Sequence, residues 1–142
     1  MIRPFQTDDT DTIVSIWRDA SALAHSFLPA AFIEQEADAL RNIYLVHAET
    51  SVIEVNGTIV GFVSLVGDEL AGLFLHPAFH GRGLGRAMVD FAKAQKGPLR
   101  VEVFENNHIG RKFYASYGFC GDETFVHEAS GEVVLKLVLP VV

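Results

Sequence analysis

Leu73-Phe74-Leu75-His76-Pro77-Ala78-Phe79-His80-Gly81-Arg82-Gly83-Leu84-Gly85-Arg86 is the stretch on which the fold turns. It opens as an apolar strand, breaks at His76-Pro77, and runs through three alternating glycines into an amphipathic segment. Glycine carries no Cβ, so main-chain amides in such a turn can approach an anion closely. The segment from about Gly83 to Lys96 has helical apolar spacing and is stopped by Gly97-Pro98. A helix start leaves its first N–H groups unpaired and carries the positive end of the dipole. Strand, glycine turn and helix start together predict a cradle for a diphosphate, with Arg82 and Arg86 adding positive charge. The spacing is neither G-x-G-x-x-G nor G-x-x-x-x-G-K-[ST], so neither a dinucleotide site nor a triphosphate loop is indicated. On the glycines alone, a plain glycine-rich helix start reads equally well.

The rest of the chain arranges itself around this turn. Upstream, Ser51–Val55 and Thr58–Leu65 flank Asn56-Gly57, the preferred two-residue hairpin turn, because both positions need positive φ. Glu69–Leu75 follows the Gly67-Asp68 turn as the next strand. At the start, Ile2–Phe5 reads as a short strand, and Thr7 as the cap of a helix with Asp8 and Asp9 in its first turn. Ile13, Val14, Ile16, Trp17, Ala20, Leu23 and Ala24 recur at helical spacing, which places Trp17 on a packing stripe. The stretch from His25 to Pro29 breaks that helix, and a second runs from Ala31 to about Tyr44. Downstream, Leu99–Val103 is a strand, about Asn107–Tyr117 a helix, and Phe119–Val126 and Val133–Leu139 are strands. Hairpins followed by alternating strands and helices predict an α/β (α+β) domain, a mixed sheet covered by helices.

Composition sets limits on function. The 142 residues are 49% hydrophobic and 20% charged, a globular balance with no repeat or linker, and they read as one domain. A net charge of -7 disfavours broad binding to nucleic acid or anionic membrane and suits a cationic acceptor. No apolar run approaches the roughly 18 residues of a membrane span, and the N-terminus has no signal-like stretch. A reducing cytoplasm is the default expectation. The lone cysteine, Cys120, rules out an internal disulfide and a cysteine-built zinc site, and reads as a small buried apolar residue. The histidines show no ligand spacing, so no metal is indicated.

Two motifs carry a resemblance. His80-Gly81-Arg82-Gly83-Leu84-Gly85 is similar to the [Q/R]-x-x-G-x-[G/A] hallmark of the GNAT superfamily of N-acetyltransferases, with His80 in place of Gln or Arg. Asn107-x-x-Gly110-x-x-Phe113-Tyr114-x-x-x-Gly118-Phe119 is similar to its N-x-x-A-x-x-F-Y-x-x-x-G-F segment, with Gly110 in place of Ala. The likeness is to small single-domain bacterial members. It implies a mostly antiparallel sheet of six or seven strands with a splayed fourth strand, and about four flanking helices.

The resemblance also implies acetyl-CoA as co-substrate and an amine as acceptor: a protein lysine, a protein N-terminus or a small amine. A homodimer is common among such relatives. Main-chain groups of Leu73 and Leu75, with Phe74 between them, would hold the pantetheine arm, and residues 80 to 86 the diphosphate. Asn107 would hold the arm or the fourth strand, or serve only as a helix cap, and Phe113 would pack beside it. Tyr114 matches the family's general acid. Glu102 and Glu69 each match a glutamate used as base in different members; either could equally be a solvated strand carboxylate. On the acceptor side the implied residues are His25, Phe27 and Tyr44, with the segment near His127-Glu128; a helix-ending His and a core Phe are the plainer readings. Two other classes fit the same motifs, a non-catalytic acyl-CoA-binding module and a toxin that acetylates charged tRNA. The second should carry a basic face, which -7 disfavours.

Overall fold

The protein's structure is a computed structural model that describes residues 1–140. The first strand, β1 (Ile2–Pro4), leads through a 3-10 turn at Thr7–Asp9 into α1 (Thr10–Ala24). Thr7 is not the cap expected there. The Asp9 carboxylate accepts the Gln6 N–H at 2.8 Å and bonds from the two terminal Arg3 guanidinium nitrogens, at 2.9 and 3.0 Å. Arg3 also reaches Glu54 at 2.7 Å, so a charged residue of β1 locks the helix start to the neighbouring strand. This arginine holds the Asp9 carboxyl below the usual carboxylate range. The second helix, α2 (Ala30–Ala39), widens into a π-helical turn at Leu40–Tyr44 and ends with Leu45–His47. Such turns tend to lie at functional sites.

Three antiparallel strands follow: β2 (Glu49–Val55), β3 (Thr58–Val66) and β4 (Glu69–Leu75). The β2–β3 turn has Asn56 at φ 52° and Gly57 at φ 79°, the geometry that the Asn-Gly pair predicts. Then come α3 (Leu84–Lys96), β5 (Arg100–Phe104), α4 (His108–Tyr117), β6 (Cys120–Val126) and β7 (Val133–Val138). Among the described residues seven strands lie in the order β1-β2-β3-β4-β5-β7-β6, antiparallel throughout except for β4 beside β5.

Both faces of the sheet are covered. On one, Met88, Val89 and Ala92 of α3 pack with Val101, Val103 and Phe119. On the other, Ile13, Val14, Ile16 and Trp17 of α1 pack with Ala37, Leu40 and Phe62. Phe62 is 1% exposed, which makes it the largest of the fully sealed side chains. Among the described residues no helix is long and apolar enough to cross a membrane. Cys120 is exposed, not buried as its apolar flanks predicted. Phe119 turns inward at 4% exposure, so the next residue faces out, and β6 is an edge strand that among the described residues pairs with β7 on one side alone.

The feature that positions the site is the seam between β4 and β5. Among the described residues these strands pair only at Glu69↔Arg100 and Leu70↔Val101, then part company. Ala71 is an extra residue in β4, because Ser64 pairs with Gly72 while Leu65 pairs with Leu70. A bulge of this kind bends its strand and raises the local twist. The splayed fourth strand is therefore present, and it opens a wedge between Gly72–Leu75 and Glu102–Phe104.

Candidate active site

The wedge begins with backbone geometry. The His76 N–H donates to the Val60 carbonyl at 2.8 Å, so even-numbered residues at the end of β4 turn their main-chain groups toward β3. Alternation then turns those of Leu73 and Leu75 toward the open side. The imidazole of His80 comes back to the Leu75 carbonyl oxygen, with Nε2 at 3.2 Å. His80 thus sits against the strand end rather than in the glycine turn that follows it.

Beyond His80 the chain forms the cradle. Gly81 and Gly83 both have φ 78°, and a Cβ added to either would meet nothing within 4 Å. Ala87 N–H makes the first intrahelical bond, to the Gly83 carbonyl, and His80 N–H bonds to Pro77. Among the described residues, no N–H between those two positions has a hydrogen-bond partner. A run of free donors at the start of a thirteen-residue helix, with open space in front, fits a diphosphate. Arg82 lies over the Phe79 ring and Arg86 over the Tyr117 ring, each at 4.9 Å, so both cations are rested on aromatic faces beside the turn. Gly85 has a different task. A Cβ there would come 3.1 Å from Phe113, so this glycine admits α4 against α3. Leu84 is half-buried and packs onto the core below.

Behind the wedge lies a cavity of about 490 Å³. Its lining brings together Glu69, Leu73 and Phe74 of β4, Glu102 of β5, Asn107 and Tyr114 at the cap and in the body of α4, His25 at the end of α1 and Tyr44 on the π-helical turn. Tyr114 is 8% exposed, and its hydroxyl has no hydrogen-bond partner among the described residues. Burial pushes the phenol well above its ordinary value, so it is held protonated. Glu69 and Glu102 share the sheet face opposite Leu70 and Val101, which turn into the core. Their surroundings differ. Glu69 lies 3.8 Å from the Arg100 guanidinium, which also binds Asp68 at 2.8 Å. Glu102 is exposed and forms no ion pair among the described residues.

Asn107 caps α4, its Oδ1 accepting the Gly110 N–H at 2.8 Å, and its Nδ2 lies 3.3 Å from His25 Nε2. Burial lowers the His25 pKa to about 4. Phe27 does not line the cavity as a tunnel wall would. Its ring stands behind His25 and Phe104, at 5.9 and 5.6 Å. The Tyr44 hydroxyl, on the π-helical turn, reaches Glu36 at 3.4 Å.

Sequence reasoning missed several lining residues: Phe32, Glu36, Phe104 and Phe125. His127 was reached only as part of a segment; its ring meets Phe32 edge-on at 5.9 Å and Phe104 at 5.6 Å. The available signal was the aromatic density of α2 and of the strand ends, which periodicity alone assigns to packing. Among the described residues no three His, Cys, Asp or Glu side chains gather as metal ligands.

A free-amide cradle at the mouth of a split sheet, with an apolar slot running inward from it, is the layout of a coenzyme A-dependent acyltransferase. The chain belongs to the GNAT acetyltransferases: residues 46–120 match the family's Acetyltransferase (GNAT) domain. It is 31% identical over 120 residues to the peptidyl-lysine N-acetyltransferase YiaC of Escherichia coli, a match covering 84% of this chain and 82% of that protein. It is 30% identical over 119 residues to the peptidyl-lysine N-acetyltransferase YjaB of the same organism, covering 83% and 80%. The solution structure of apo-form YjaB from Escherichia coli superposes with a TM-score of 0.88, at 28% identity over 97% of this chain and 95% of that one. The protein is thus an acyltransferase whose co-substrate is acetyl-CoA.

Proposed function

We propose that this chain transfers the acetyl group of acetyl-CoA to the side-chain amine of a protein lysine. The observation that carries the reading is the hydroxyl of the largely buried Tyr114, which has no hydrogen-bond partner among the described residues, at an apolar cavity bordered by Glu36, Glu69 and Glu102. A lysine suits that cavity, because its methylene stem matches apolar walls and its ammonium is attracted by carboxylates. The relatives named above are lysine acetyltransferases, which supports the same acceptor.

The chain's residues divide the work. Free N–H groups of residues 81 to 86, with Arg82 and Arg86, hold the diphosphate; main-chain groups of Leu73 and Leu75 hold the pantetheine arm. Acetyl-CoA supplies an activated acetyl thioester when bound. Glu102, unpaired and at the wedge, takes a proton from the lysine ammonium through water, which leaves a nucleophilic amine. As the new C–N bond forms and the C–S bond breaks, Tyr114 gives its proton to the departing sulfur, and the nitrogen, on becoming an amide, sheds its surplus proton through water back to the Tyr114 oxygen. Glu69 is tied to Arg100 and sets the field at the seam.

Glu102→Gln is therefore expected to lower kcat by about 10²-fold, and Glu69→Gln by less than about tenfold, in a thiol-release assay. The opposite order would move the base to Glu69. The acceptor itself is tested by incubating the protein and acetyl-CoA with peptides bearing lysine or a free N-terminus and with small polyamines, then reading products by mass spectrometry. Acetyl groups on lysine Nζ are expected; acetylation confined to N-termini or polyamines overturns the lysine assignment.

A further inference from the structure

One polar pair in the cavity wall has its chemistry set by a helix cap. Asn107 Oδ1 is fixed as the oxygen because it accepts the Gly110 N–H at 2.8 Å. The other end of the amide, Nδ2, is therefore what faces His25 Nε2 at 3.3 Å. An amide NH2 only donates, so His25 Nε2 accepts and the ring proton sits on Nδ1. Gly110 makes this arrangement possible. A Cβ at that position would lie 2.6 Å from Asn107 Nδ2 and 3.0 Å from its Cγ, and would displace the amide.

The imidazole is held edge-on by Phe104, Phe27 and Phe74, at 5.3, 5.9 and 6.4 Å. His25 Nδ1 has no hydrogen-bond partner among the described residues. It is not sealed either, since Ser21 Oγ is the one fully buried side-chain polar atom there that lacks a partner. A cavity-lining residue thus presents an open, neutral N–H.

We propose that Asn107 locks His25 as a neutral Nδ1–H donor for a carbonyl oxygen of a bound substrate, and that His25 is not the base of the reaction. A neutral N–H cannot accept the amine's proton. Aimed at the amine nitrogen, it would occupy the lone pair that has to attack. A carbonyl oxygen is the partner it fits, and two substrates carry one near this wall: the main chain of the acceptor and the amides of the pantetheine arm. This inference rests on reading the cavity as the acetyl-transfer site.

Two measurements test it. In the wild-type protein labelled with 15N-histidine, the His25 resonances at neutral pH should show a protonated Nδ1 and a bare Nε2; a protonated Nε2 overturns the proposal. The second uses His25→Gln, whose amide oxygen can still accept from Asn107 but which lacks a donor at the Nδ1 position, and His25→Asn, whose amide nitrogen replaces Nδ1. His25→Gln is expected to raise one KM about tenfold, the loss of one hydrogen bond, and His25→Asn to raise it clearly less. A rise for Nα-acetyl-lysine amide assigns the carbonyl to the acceptor, and a rise for acetyl-CoA assigns it to the arm. Equal effects of the two variants, or the reverse order, overturn the donor role. Failure of the lysine reading looks different: the wild-type protein would then acetylate no lysine at all.

Discussion

Replacing Tyr114 by Phe is expected to lower kcat by about 10²- to 10⁴-fold while leaving the affinity for acetyl-CoA within about twofold of wild type. The substitution removes one oxygen and nothing else. That hydroxyl has no hydrogen-bond partner among the described residues, so its loss leaves no donor or acceptor stranded. The ring keeps its contacts with Phe113 and Phe119, at 5.4 Å each, and the fold should persist. On the proposed mechanism, what goes is the proton meant for the departing thiolate. Because burial raises the phenol's pKa, the wild-type group stays protonated through neutral and moderately alkaline pH. The wild-type rate should accordingly show no falling alkaline limb from this group below about pH 10. Single-turnover kinetics across pH, with calorimetric titration of acetyl-CoA, give both quantities. Full turnover in the Phe variant would remove Tyr114 from the chemistry.

The second large effect is expected at Gly83. Its φ of 78° is left-handed, and open space lies where a Cβ would project. Valine there meets two separate penalties. Backbone strain lowers stability by roughly 1–2 kcal/mol, and the branched side chain stands in front of the free N–H groups. Asparagine separates the two, since it tolerates the left-handed region while still filling the cradle. Gly83→Asn is expected to melt close to the wild type yet bind acetyl-CoA at least tenfold more weakly, by about 1.4 kcal/mol. Gly83→Val should lose both stability and affinity. If Gly83→Asn titrates like the wild-type protein, the diphosphate is held elsewhere.

Much of this architecture could be read from the chain because its cues are local. Asn56-Gly57 dictates its hairpin, Gly97-Pro98 ends α3, and the glycines before Leu84 announce a helix start with room in front of it. The motif around Asn107 and Tyr114 located the capped helix and the phenol. What escaped depends on neighbours that a sequence does not display. Thr7 lost the cap to Asp9 because Arg3, one strand away, holds that carboxylate in place. Cys120 is exposed because β6 ended up at the sheet edge. Gly85 reads as one more cradle glycine, and nothing in the sequence says that its missing side chain also makes room for Phe113. The acceptor wall is harder still. Phe32, Phe104 and His127 come from a helix, a strand end and a turn, and their only common property is the space they enclose.

Among the described residues only two rungs, at Glu69↔Arg100 and Leu70↔Val101, pair the first four strands with the last three. Main-chain donors and acceptors that any other sheet would spend on itself are left over at this break. A ligand lying along it becomes the missing ladder and stitches two half-sheets into one. If the coenzyme binds there, as proposed, occupancy should stiffen the whole molecule rather than one loop, and the empty protein should breathe along that line.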